Sequence, residues 1–378
     1  MRVTRLAVRD FRNYERAEVG LGEGLTVVAG PNGAGKTNLL EALYFGLTAR
    51  SCRTSVEREV VRLGAELARV EVRVAAEDGD HSLEVGLAPG EEKRIRVDGA
   101  PLARGTDPPR PLAAVFLPDR LELVKGAPAL RRAHVDQVVA ALWPARAATR
   151  AAYSRALAQR NALIARVRSS SADPSQLDAW DAELARRGID LMADRAAAVE
   201  LVAAPFSDRA AELGMPDAVA LRYAPRSTAG DADGLRAELV ERRAADLERG
   251  FTTHGPHRDD LALSHGGRLL RRLGSQGQQR LGLLALLFAE RDALAARGSP
   301  PLMLLDDVMS ELDSTRRRRL SELVRSEGQA LITTTDVDHV PGADGPDVAL
   351  LEVAAGSVAR VDRGGGAVVD LDRAGEAA

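Results

Sequence analysis

GPNGAGKT, residues 30–37, matches the phosphate-binding pattern G-x-x-x-x-G-K-[ST] at every required position. The apolar run Leu25–Ala29 before it predicts a buried strand, and apolar residues at helical spacing after it predict a helix over residues 37–48. A glycine-rich loop between a strand and a helix favours phosphate binding, because N–H groups at the start of the helix point at phosphate oxygens. We therefore predict an α/β fold built around a nucleotide-binding phosphate loop.

The residue types in this loop have distinct expected roles. Lys36 places a positive charge on the β- and γ-phosphate oxygens during catalysis, and the Thr37 hydroxyl ligates Mg²⁺. The predicted cofactors are therefore ATP and Mg²⁺. The residues expected to hold the nucleotide in and beside the loop are Gly30, Asn32, Gly33, Gly35, Lys36, Thr37 and Asn38.

A second apolar run, residues 302–305, ends in Asp306 and Asp307. In phosphate-loop ATPases the first acid of such a pair holds Mg²⁺, and the second orients or deprotonates the attacking water. We assign the metal to Thr37 and Asp306, and the catalytic base to Asp307. Glutamate is more usual at the second position in ATP-binding-cassette proteins. Because the side chain of Asp307 is shorter by one methylene, we expect slow hydrolysis.

A third element, Ser275-Gln276-Gly277-Gln278, opens a predicted helix over residues 278–297. In one interpretation Ser275 is only the N-cap of that helix. In the other, the turn is the signature of a cassette ATPase, and Ser275, Gly277 and Gln278 receive the γ-phosphate of a nucleotide held by a second copy of the protein. The nearness of the turn to the acidic run favours the second interpretation, which predicts an ATP-dependent homodimer.

Other polar stretches have two open interpretations each. Residues 310–313 predict a helix start or a loop that crosses a dimer interface, and residues 252–260 predict a structured loop or a solvated turn. Arginine clusters suit phosphate contacts but are also common on solvated helix faces. These clusters are Arg131-Arg132, Arg271-Arg272 and Arg316 to Arg319.

Composition excludes several classes of protein. The net charge of −3 argues against a globally basic nucleic-acid binder, although it allows a local basic face. The single cysteine, Cys52, excludes an intrachain disulfide. The chain shows no signal-peptide core and no apolar segment of the roughly 20 residues that a membrane span needs. These features predict a soluble, cytoplasmic protein with no membrane partner.

Changes in periodicity along the chain predict two lobes. Residues 1–125 and 250–378 are expected to form a head with a mixed sheet and an antiparallel β subdomain, with a loop at residues 106–111. Residues 126–249 are rich in Ala, Arg and Leu and predict an inserted, mainly helical lobe, interrupted at Pro144 and again at residues 169–174. The lobe lacks sustained heptads, so we expect a compact insertion and no long coiled-coil arm.

Longer stretches resemble one family, the RecF recombination-mediator ATPases, which are related to the heads of structural-maintenance-of-chromosomes proteins. The resemblance covers nearly the whole chain, and SQGQQR together with THGPHRDD is its most specific part. The matching stretches are FRNY at 11–14, GPNGAGKTN at 30–38, FLPD at 116–119, THGPHRDD at 253–260, SQGQQR at 275–280 and LLDDVMSELD at 304–313.

The resemblance implies an ABC-type P-loop ATPase head with an inserted helical lobe. It implies a weak, DNA-stimulated ATPase that dimerises with ATP on DNA, at single-strand gaps next to duplex. It further implies partnership with RecR and RecO and assistance to RecA loading, in replication, recombination, DNA-damage repair and the SOS response. By the same resemblance, Arg12 and Asn13 would lie near the nucleotide.

The chain departs from the cassette pattern at two further places. Residues 116–119 stand where other cassette ATPases carry a glutamine loop, and they contain no glutamine to perform its Mg²⁺-sensing role. Gly274 precedes the signature serine, where a more apolar or alanine-like residue is expected.

Three alternatives stay open at this point. A transporter ATPase subunit would need a glutamine loop and a coupling surface for a membrane partner. A nuclease-partner ATPase of double-strand-break repair would need a long heptad arm. A metabolic phosphotransferase would use only the phosphate loop and would leave the signature turn unexplained. Stimulation of ATP hydrolysis by DNA separates these classes.

Overall fold

The computed structural model describes residues 1–103, 112–298 and 300–361, apart from the Asp119 side chain. The loop predicted at residues 106–111 lies outside the described residues. The strands in chain order are β1 (Arg2–Phe11), β2 (Tyr14–Gly20), β3 (Leu25–Ala29), β4 (Ala68–Ala76), β5 (Gly79–Leu87), β6 (Arg94–Val97), β7 (Ala100–Pro101), β8 (Ala113–Phe116), β9 (Val219–Ala224), β10 (Asp260–His265), β11 (Arg268–Leu269), β12 (Leu302–Leu305), β13 (Ala330–Thr334), β14 (Ala349–Ala354) and β15 (Ser357–Arg360).

The helices follow the apolar periodicity of the sequence. In chain order they are α1 (Lys36–Thr48), α2 (Glu122–Lys125), α3 (Pro128–Leu142), α4 (Ala147–Arg168), α5 (Leu177–Glu212), α6 (Ala232–Glu241), α7 (Arg243–Arg249), α8 (Leu270–Leu273), α9 (Gln276–Ala295) and α10 (Ser314–Arg325).

The first of two compact units combines the two ends of the chain, residues 1–119 and 298–378. Its antiparallel sheet has the order β2-β1-β4-β5-β6-β7. Its mixed sheet has the order β15-β14-β3-β13-β12-β8, in which the five strands from β14 to β8 are parallel. Parallel strands buried on both faces read as continuous apolar runs, which explains why β3, β12 and β13 are buried at every position.

Helix α1 lies between these sheets and carries the phosphate loop at its start. Leu39, Leu40 and Leu43 are buried in the shared core. The helix approaches β4 so closely that a β-carbon on Gly46 would lie 2.4 Å from a methyl carbon of Val72. A side chain at this position would push the helix away from the sheet, so Gly46 helps to place the loop.

The second compact unit, residues 120–297, is mainly helical. Its three-stranded antiparallel sheet has the order β11-β10-β9, and the 36-residue helix α5 packs against α4, α9 and β9. The predicted interruptions at Pro144 and at residues 169–174 are confirmed, because α4 runs between them. Arg242 separates α6 from α7.

The compact units differ from the predicted lobes for residues 250–297. In the structure β10 pairs with β9, and α9 packs against α5, so these residues belong to the second unit by packing. Long-range strand pairing is not visible in a sequence pattern, which explains the difference. It stays a prediction that residues 1–125 and 250–378 act together as the ATPase head, with residues 126–249 as the inserted lobe.

Candidate nucleotide site

The phosphate loop is shaped by close backbone approaches at two glycines. A β-carbon on Gly30 would lie 2.2 Å from the carbonyl oxygen of Val353. Gly35 has φ of 120°, and a β-carbon there would lie 2.5 Å from Nδ2 of Asn13. Only glycine fits both positions without displacing neighbouring backbone or side chains. The loop is therefore held in one conformation by the strands around it.

The start of α1 is left open for an anion. Gly35 is the N-cap, no side chain caps the helix, and its first turn has no acidic residue. Lys36 folds over the loop, and its Nζ donates to the carbonyl oxygens of Gly30 at 2.7 Å and Pro31 at 3.0 Å. Burial lowers the pKa of Lys36, and the carboxylates of Asp307 and Asp306 oppose that shift. Free N–H groups and a nearby ammonium are what a polyphosphate requires.

Thr37 and Asp306 are brought together although they are far apart in sequence. The Thr37 hydroxyl lies 2.9 and 3.0 Å from the two carboxylate oxygens of Asp306. Thr333, on the neighbouring strand β13, donates to Oδ1 of Asp306 at 2.6 Å. Burial raises the pKa of Asp306, and the hydrogen bonds from Thr333 and Thr37 act against this shift. The strand order places these three oxygen-bearing side chains at one edge of the sheet.

These oxygen donors fit Mg²⁺, which proteins bind through one or two carboxylates, a hydroxyl and phosphate oxygens of the substrate. Thr37 and Asp306 would hold the ion between them. When bound, it would neutralise charge on the β- and γ-phosphates.

Asp307 combines a left-handed backbone conformation with a buried carboxylate oxygen. Its φ is 45°, in the left-handed region, which aspartate tolerates at a modest energetic cost. Its backbone N–H donates to Oγ1 of Thr333 at 3.0 Å. Its Oδ1 is buried without a hydrogen-bond partner among the residues that the structure describes. A buried carboxylate oxygen with unused acceptor capacity is suited to bind a water molecule and accept its proton.

The FRNY residues support the loop from its side. Asn13 donates to the carbonyl oxygen of Ala34 at 3.0 Å and accepts from Asn38 at 2.7 Å. The Tyr14 hydroxyl donates to the carbonyl oxygen of Gly35 at 2.9 Å. The structure thus places Asn13 and Asn38 beside the loop. Their contact with a nucleotide stays a prediction.

Arg12 is engaged by an acid on α1. It forms a two-pronged ion pair with Glu41, at 2.9 and 2.7 Å, and also donates to the carbonyl oxygen of Glu59 at 2.7 Å. Glu41 is fully buried. The contacts shown for Arg12 therefore fix the β1–β2 turn against α1, and a role at the nucleotide stays a prediction.

A cavity of about 300 Å³ lies beside the phosphate loop, Asp306 and Asp307. Arg53 and Thr333 line it, and neither was identified from the sequence. Arg53 donates to Asn38 at 2.9 Å and to Glu41 at 3.3 Å. A buried acid inside the apolar pattern of α1 was the one sequence signal for this cluster. The lining residues are Asn32, Gly33, Gly35, Lys36, Thr37, Asn38, Arg53, Pro118, Asp306, Asp307 and Thr333.

The signature turn lies in the second unit and forms a capping box. Oγ of Ser275 accepts from the N–H of Gln278 at 3.2 Å, and Oε1 of Gln278 accepts from the N–H of Ser275 at 2.9 Å. The N-cap interpretation of Ser275 is confirmed. Its second role, toward a partner's nucleotide, stays a prediction.

Two glycines flank Ser275 in different surroundings. A β-carbon on Gly274 would lie 2.8 Å from the carbonyl oxygen of Leu270, so the backbone of α8 accounts for glycine at this departure from the cassette pattern. A β-carbon on Gly277 would meet nothing closer than Oγ of Ser275 at 4.0 Å. Among the described residues, no packing contact requires glycine at this second residue of α9.

The stretch at 252–260 is a structured loop over a buried ionic network, as one of its two interpretations predicts. Arg160 is fully buried and donates to Asp181 at 2.6 Å, to Asp246 at 2.7 Å and to Oγ1 of Thr252 at 2.8 Å. The N–H of Thr253 donates to Asp246 at 2.9 Å. Buried charges require such pairing, so this loop holds the second unit together.

His257 in this loop is neutral at pH 7. Burial is the main cause that lowers its pKa to about 4, and the positive charges of Arg258 and Arg132 lower it further. Its Nε2 lies 3.0 Å from the carbonyl oxygen of Thr252, which can only accept, so Nε2 carries the proton. Nδ1 then accepts from the Tyr153 hydroxyl at 2.7 Å.

This protonation state predicts a loss of stability in mild acid. Between pH 6.5 and 4 the unfolded chain binds a proton at His257 that the folded chain excludes, so the stabilisation is full above pH 6.5 and is lost as pH falls toward 4. From pH 7 to pH 5, we expect wild type to lose about 2 kcal/mol more free energy of unfolding than His257→Asn. Urea unfolding at the two pH values measures this. Carboxylates that the two proteins share set the rest of the pH dependence. Equal losses of free energy of unfolding in the two proteins would therefore contradict this prediction.

The arginine clusters are partly internal. Arg131 is 1% exposed and forms an ion pair with Asp260 at 2.6 Å. Arg271 pairs with the same carboxylate at 2.5 Å. Asp313 caps α10, because its carboxylate accepts a hydrogen bond from the backbone N–H of Arg316 at 2.9 Å. The predicted helix start at residues 310–313 is therefore confirmed. Arg131 is not available to a phosphate backbone.

The mixed and antiparallel sheets, the phosphate loop and the acidic strand end define the fold of an SMC/RecF-type ATPase head. The family model described as "RecF/RecN/SMC N terminal domain" matches residues 2–352. The chain is 40% identical to the DNA replication and repair protein RecF of Streptomyces avermitilis, over 90% of this chain and 95% of that protein. The chain belongs to the RecF family.

Two solved structures are similar to this chain. The structure of "the recombination mediator protein RecF-ATP in RecFOR pathway" has a TM-score of 0.82 and 26% identity, and the match covers 96% of this chain and 98% of that one. An SMC head bound to the C-terminal winged-helix domain of ScpA has a TM-score of 0.60 at 16% identity, over 99% of both chains, and shows the fold alone. In the described part of the chain, no helix combines the length and apolar character of a membrane span.

Proposed function

We propose that the chain is an ATP-dependent DNA-binding dimer of recombinational repair, a weak ATPase whose hydrolysis is stimulated by DNA. The observation that carries the ATPase part is the contact between the Thr37 hydroxyl and the Asp306 carboxylate, 2.9 Å apart, beside an uncapped helix start. The DNA part is supported by membership of a family whose relatives are DNA replication and repair proteins.

The mechanism assigns each group of this chain one task. The N–H groups at the start of α1 and the Lys36 ammonium would orient the β- and γ-phosphates of ATP. Thr37 and Asp306 would hold Mg²⁺. Asp307 would bind the attacking water and accept its proton. Because Asp307 is short and held at φ of 45°, its carboxylate reaches less far than a glutamate would, which favours slow turnover.

Dimerisation would complete the site. The capped helix start at Ser275, with room above Gly277, would receive the γ-phosphate of the partner's nucleotide. Two head-to-tail copies would enclose two ATP molecules and present a joint surface to DNA at single-strand gaps. A similar solved structure is described as a recombination mediator in the RecFOR pathway, which supports RecO and RecR as partners. Assistance to RecA loading is proposed from the family resemblance. A transporter subunit is the competing assignment, and no observation here favours it.

The test uses two substitutions of Ser275. Ser275→Arg places a long side chain at the helix start, and Ser275→Asp keeps a good N-cap but repels a phosphate. We expect both to weaken dimerisation with a slowly hydrolysed ATP analogue by about a hundredfold or more, measured by sedimentation. Ser275→Asp does so because like-charge contact costs several kcal/mol, and Ser275→Arg because its side chain occupies the position of the phosphate. DNA-stimulated hydrolysis should fall in parallel, while the monomer still binds ATP.

The matched control is Asp231→Ala, which removes the cap of α6, where Asp231 accepts from the N–H of Gly234 at 2.8 Å. It should cost only the stability of one cap, about 1 kcal/mol, and leave dimerisation unchanged. If Ser275→Asp dimerises normally, Ser275 is a helix cap and nothing more.

A further inference from the structure

Phe251 is an exposed aromatic ring in a chain that buries its other rings of this kind. The chain has six phenylalanines. The other five are at most 1% exposed, whereas Phe251 is 43% exposed. A single exposed apolar side chain is common on protein surfaces. The surroundings of Phe251 therefore decide whether its exposure has a purpose.

One guanidinium group lies beside the ring, and a second lies over the preceding residue. The Arg258 guanidinium carbon lies 5.5 Å from the ring centroid of Phe251, within cation–π distance. The guanidinium of Arg168 packs over the preceding residue, so that a β-carbon on Gly250 would lie 2.4 Å from its Nη1. Gly250 has φ of 86° and ends α7, which turns the chain so that Phe251 follows directly.

Further positive charge lies next to this pair. Arg132 donates to the carbonyl oxygen of Asp259 at 2.8 Å. Burial lowers the pKa of Arg132, and the nearby charges of Arg195 and Arg258 lower it further. Arg132 and Arg258 also lower the pKa of His257. Arg132 and Arg258 thus lie close enough to interact, although Asp259 and Asp260 act on the pKa of Arg132 in the opposite direction.

Helix α4 extends the positive charge. Its 22 residues include five arginines and no acidic residue. Arg150 and Arg160 pair with acids inside the unit. Arg155, Arg166 and Arg168 are exposed. Asn161, on the same helix, accepts from the N–H of Thr252 at 2.8 Å, which places α4 beside the Phe251 segment.

We propose that Phe251, with Arg258 beside its ring and Arg168 over the preceding residue, is a stacking platform for an unpaired base of single-stranded DNA. Aromatic rings stack on bases of any sequence, and arginines contact the backbone phosphates. In a duplex the bases are paired and stacked on each other, so the ring reaches a base only where the strand is single. The choice of DNA as partner rests on the proposed function. The platform adds a site for the single strand of a gap.

The arginine charges and the Phe251 ring together favour single-stranded DNA over a peptide. An acidic peptide would use the arginines but would not need an aromatic face, and an apolar peptide would bury the guanidinium groups without supplying a counter-charge. A single strand supplies both a flat π-face and phosphates a few ångströms away.

The test measures binding of a fluorescent oligodeoxythymidylate by the full-length protein, with and without a slowly hydrolysed ATP analogue. We expect Phe251→Ala and Phe251→Leu to weaken binding about tenfold, and Phe251→Trp to bind at least as well as wild type, because Trp retains a stacking face. Arg258→Ala should reduce the dependence of binding affinity on salt concentration by the amount expected for the loss of about one phosphate contact. Val240→Ala, at a residue that is 42% exposed on α6, is the matched control and should bind as wild type does.

An abasic oligomer of the same length separates stacking from charge. This oligomer should bind to wild type and to Phe251→Ala with equal affinity, whereas its affinity for Arg258→Ala should be lower. Unchanged oligodeoxythymidylate affinity in Phe251→Ala would overturn the proposal and leave the ring to a protein partner. Equal losses in Phe251→Leu and Phe251→Trp would overturn it as well, since they would indicate packing. Sedimentation with the ATP analogue, on the same samples, reports separately on the proposed ATP-dependent dimer.

Discussion

Lys36→Ala is expected to abolish ATP binding, with a loss of affinity of about a hundredfold or more. Truncating one partner of a buried charge pair costs 2–5 kcal/mol in other complexes, about thirty- to several-thousandfold. Lys36 is buried over the loop, and the hydrogen bonds shown for its ammonium go to the carbonyl oxygens of Gly30 and Pro31. The fold should persist, because burial already lowers the pKa of Lys36 and its removal relieves that desolvation.

Titration with a fluorescent ATP analogue measures the change, and circular dichroism checks the fold. Lys36→Met keeps the apolar stem and should bind as poorly as Lys36→Ala, since the charge is what binds. Lys125→Ala is the control. Lys125 is an exposed lysine that pairs with Glu122 at 3.4 Å, and its loss should leave ATP affinity unchanged. Wild-type affinity in Lys36→Ala would remove Lys36 from the nucleotide site.

Asp307→Asn is expected to separate binding from hydrolysis. The amide cannot accept a proton from water, and loss of a general base typically lowers the rate by 10²–10⁴, so we expect about a thousandfold decrease. Asparagine tolerates the left-handed φ of 45° as aspartate does, so the backbone at this position should not move. ATP binding and the proposed Mg²⁺ ligands Thr37 and Asp306 should be unaffected, and the dimer should persist longer.

Single-turnover hydrolysis and the lifetime of the dimer in sedimentation are the two measurements. Asp347→Asn is the control, because Asp347 is an exposed acid outside the candidate site that pairs with Arg325 at 2.8 Å. It should hydrolyse ATP at the wild-type rate. If Asp307→Asn does so too, another residue positions the water, and Asp306 or a group from the second copy would be the next to test.

The parts of the site that depend on local sequence could be predicted. The spacing of Gly30, Gly35, Lys36 and Thr37 specifies a loop that starts a helix, and that loop is confirmed between β3 and α1. Ser275 and Gln278 stand three residues apart, which is the spacing of a capping box, and the box is present. Helix starts and phosphate loops are local, so residues within one turn contain most of the information.

The partners that come from distant parts of the chain could not be predicted. Thr333 donates to Asp306 because β13 lies next to β12 in the sheet, an order that no short stretch of sequence specifies. Arg53 reaches the loop because it shares Glu41 with Arg12, and the acid is hidden in an apolar helix pattern. Local residue pattern thus determined the loop, the cap and the acidic strand end of this protein. Strand order and the pairing of buried charges, which depend on long-range packing in a low-dielectric interior, were decided only by the tertiary structure.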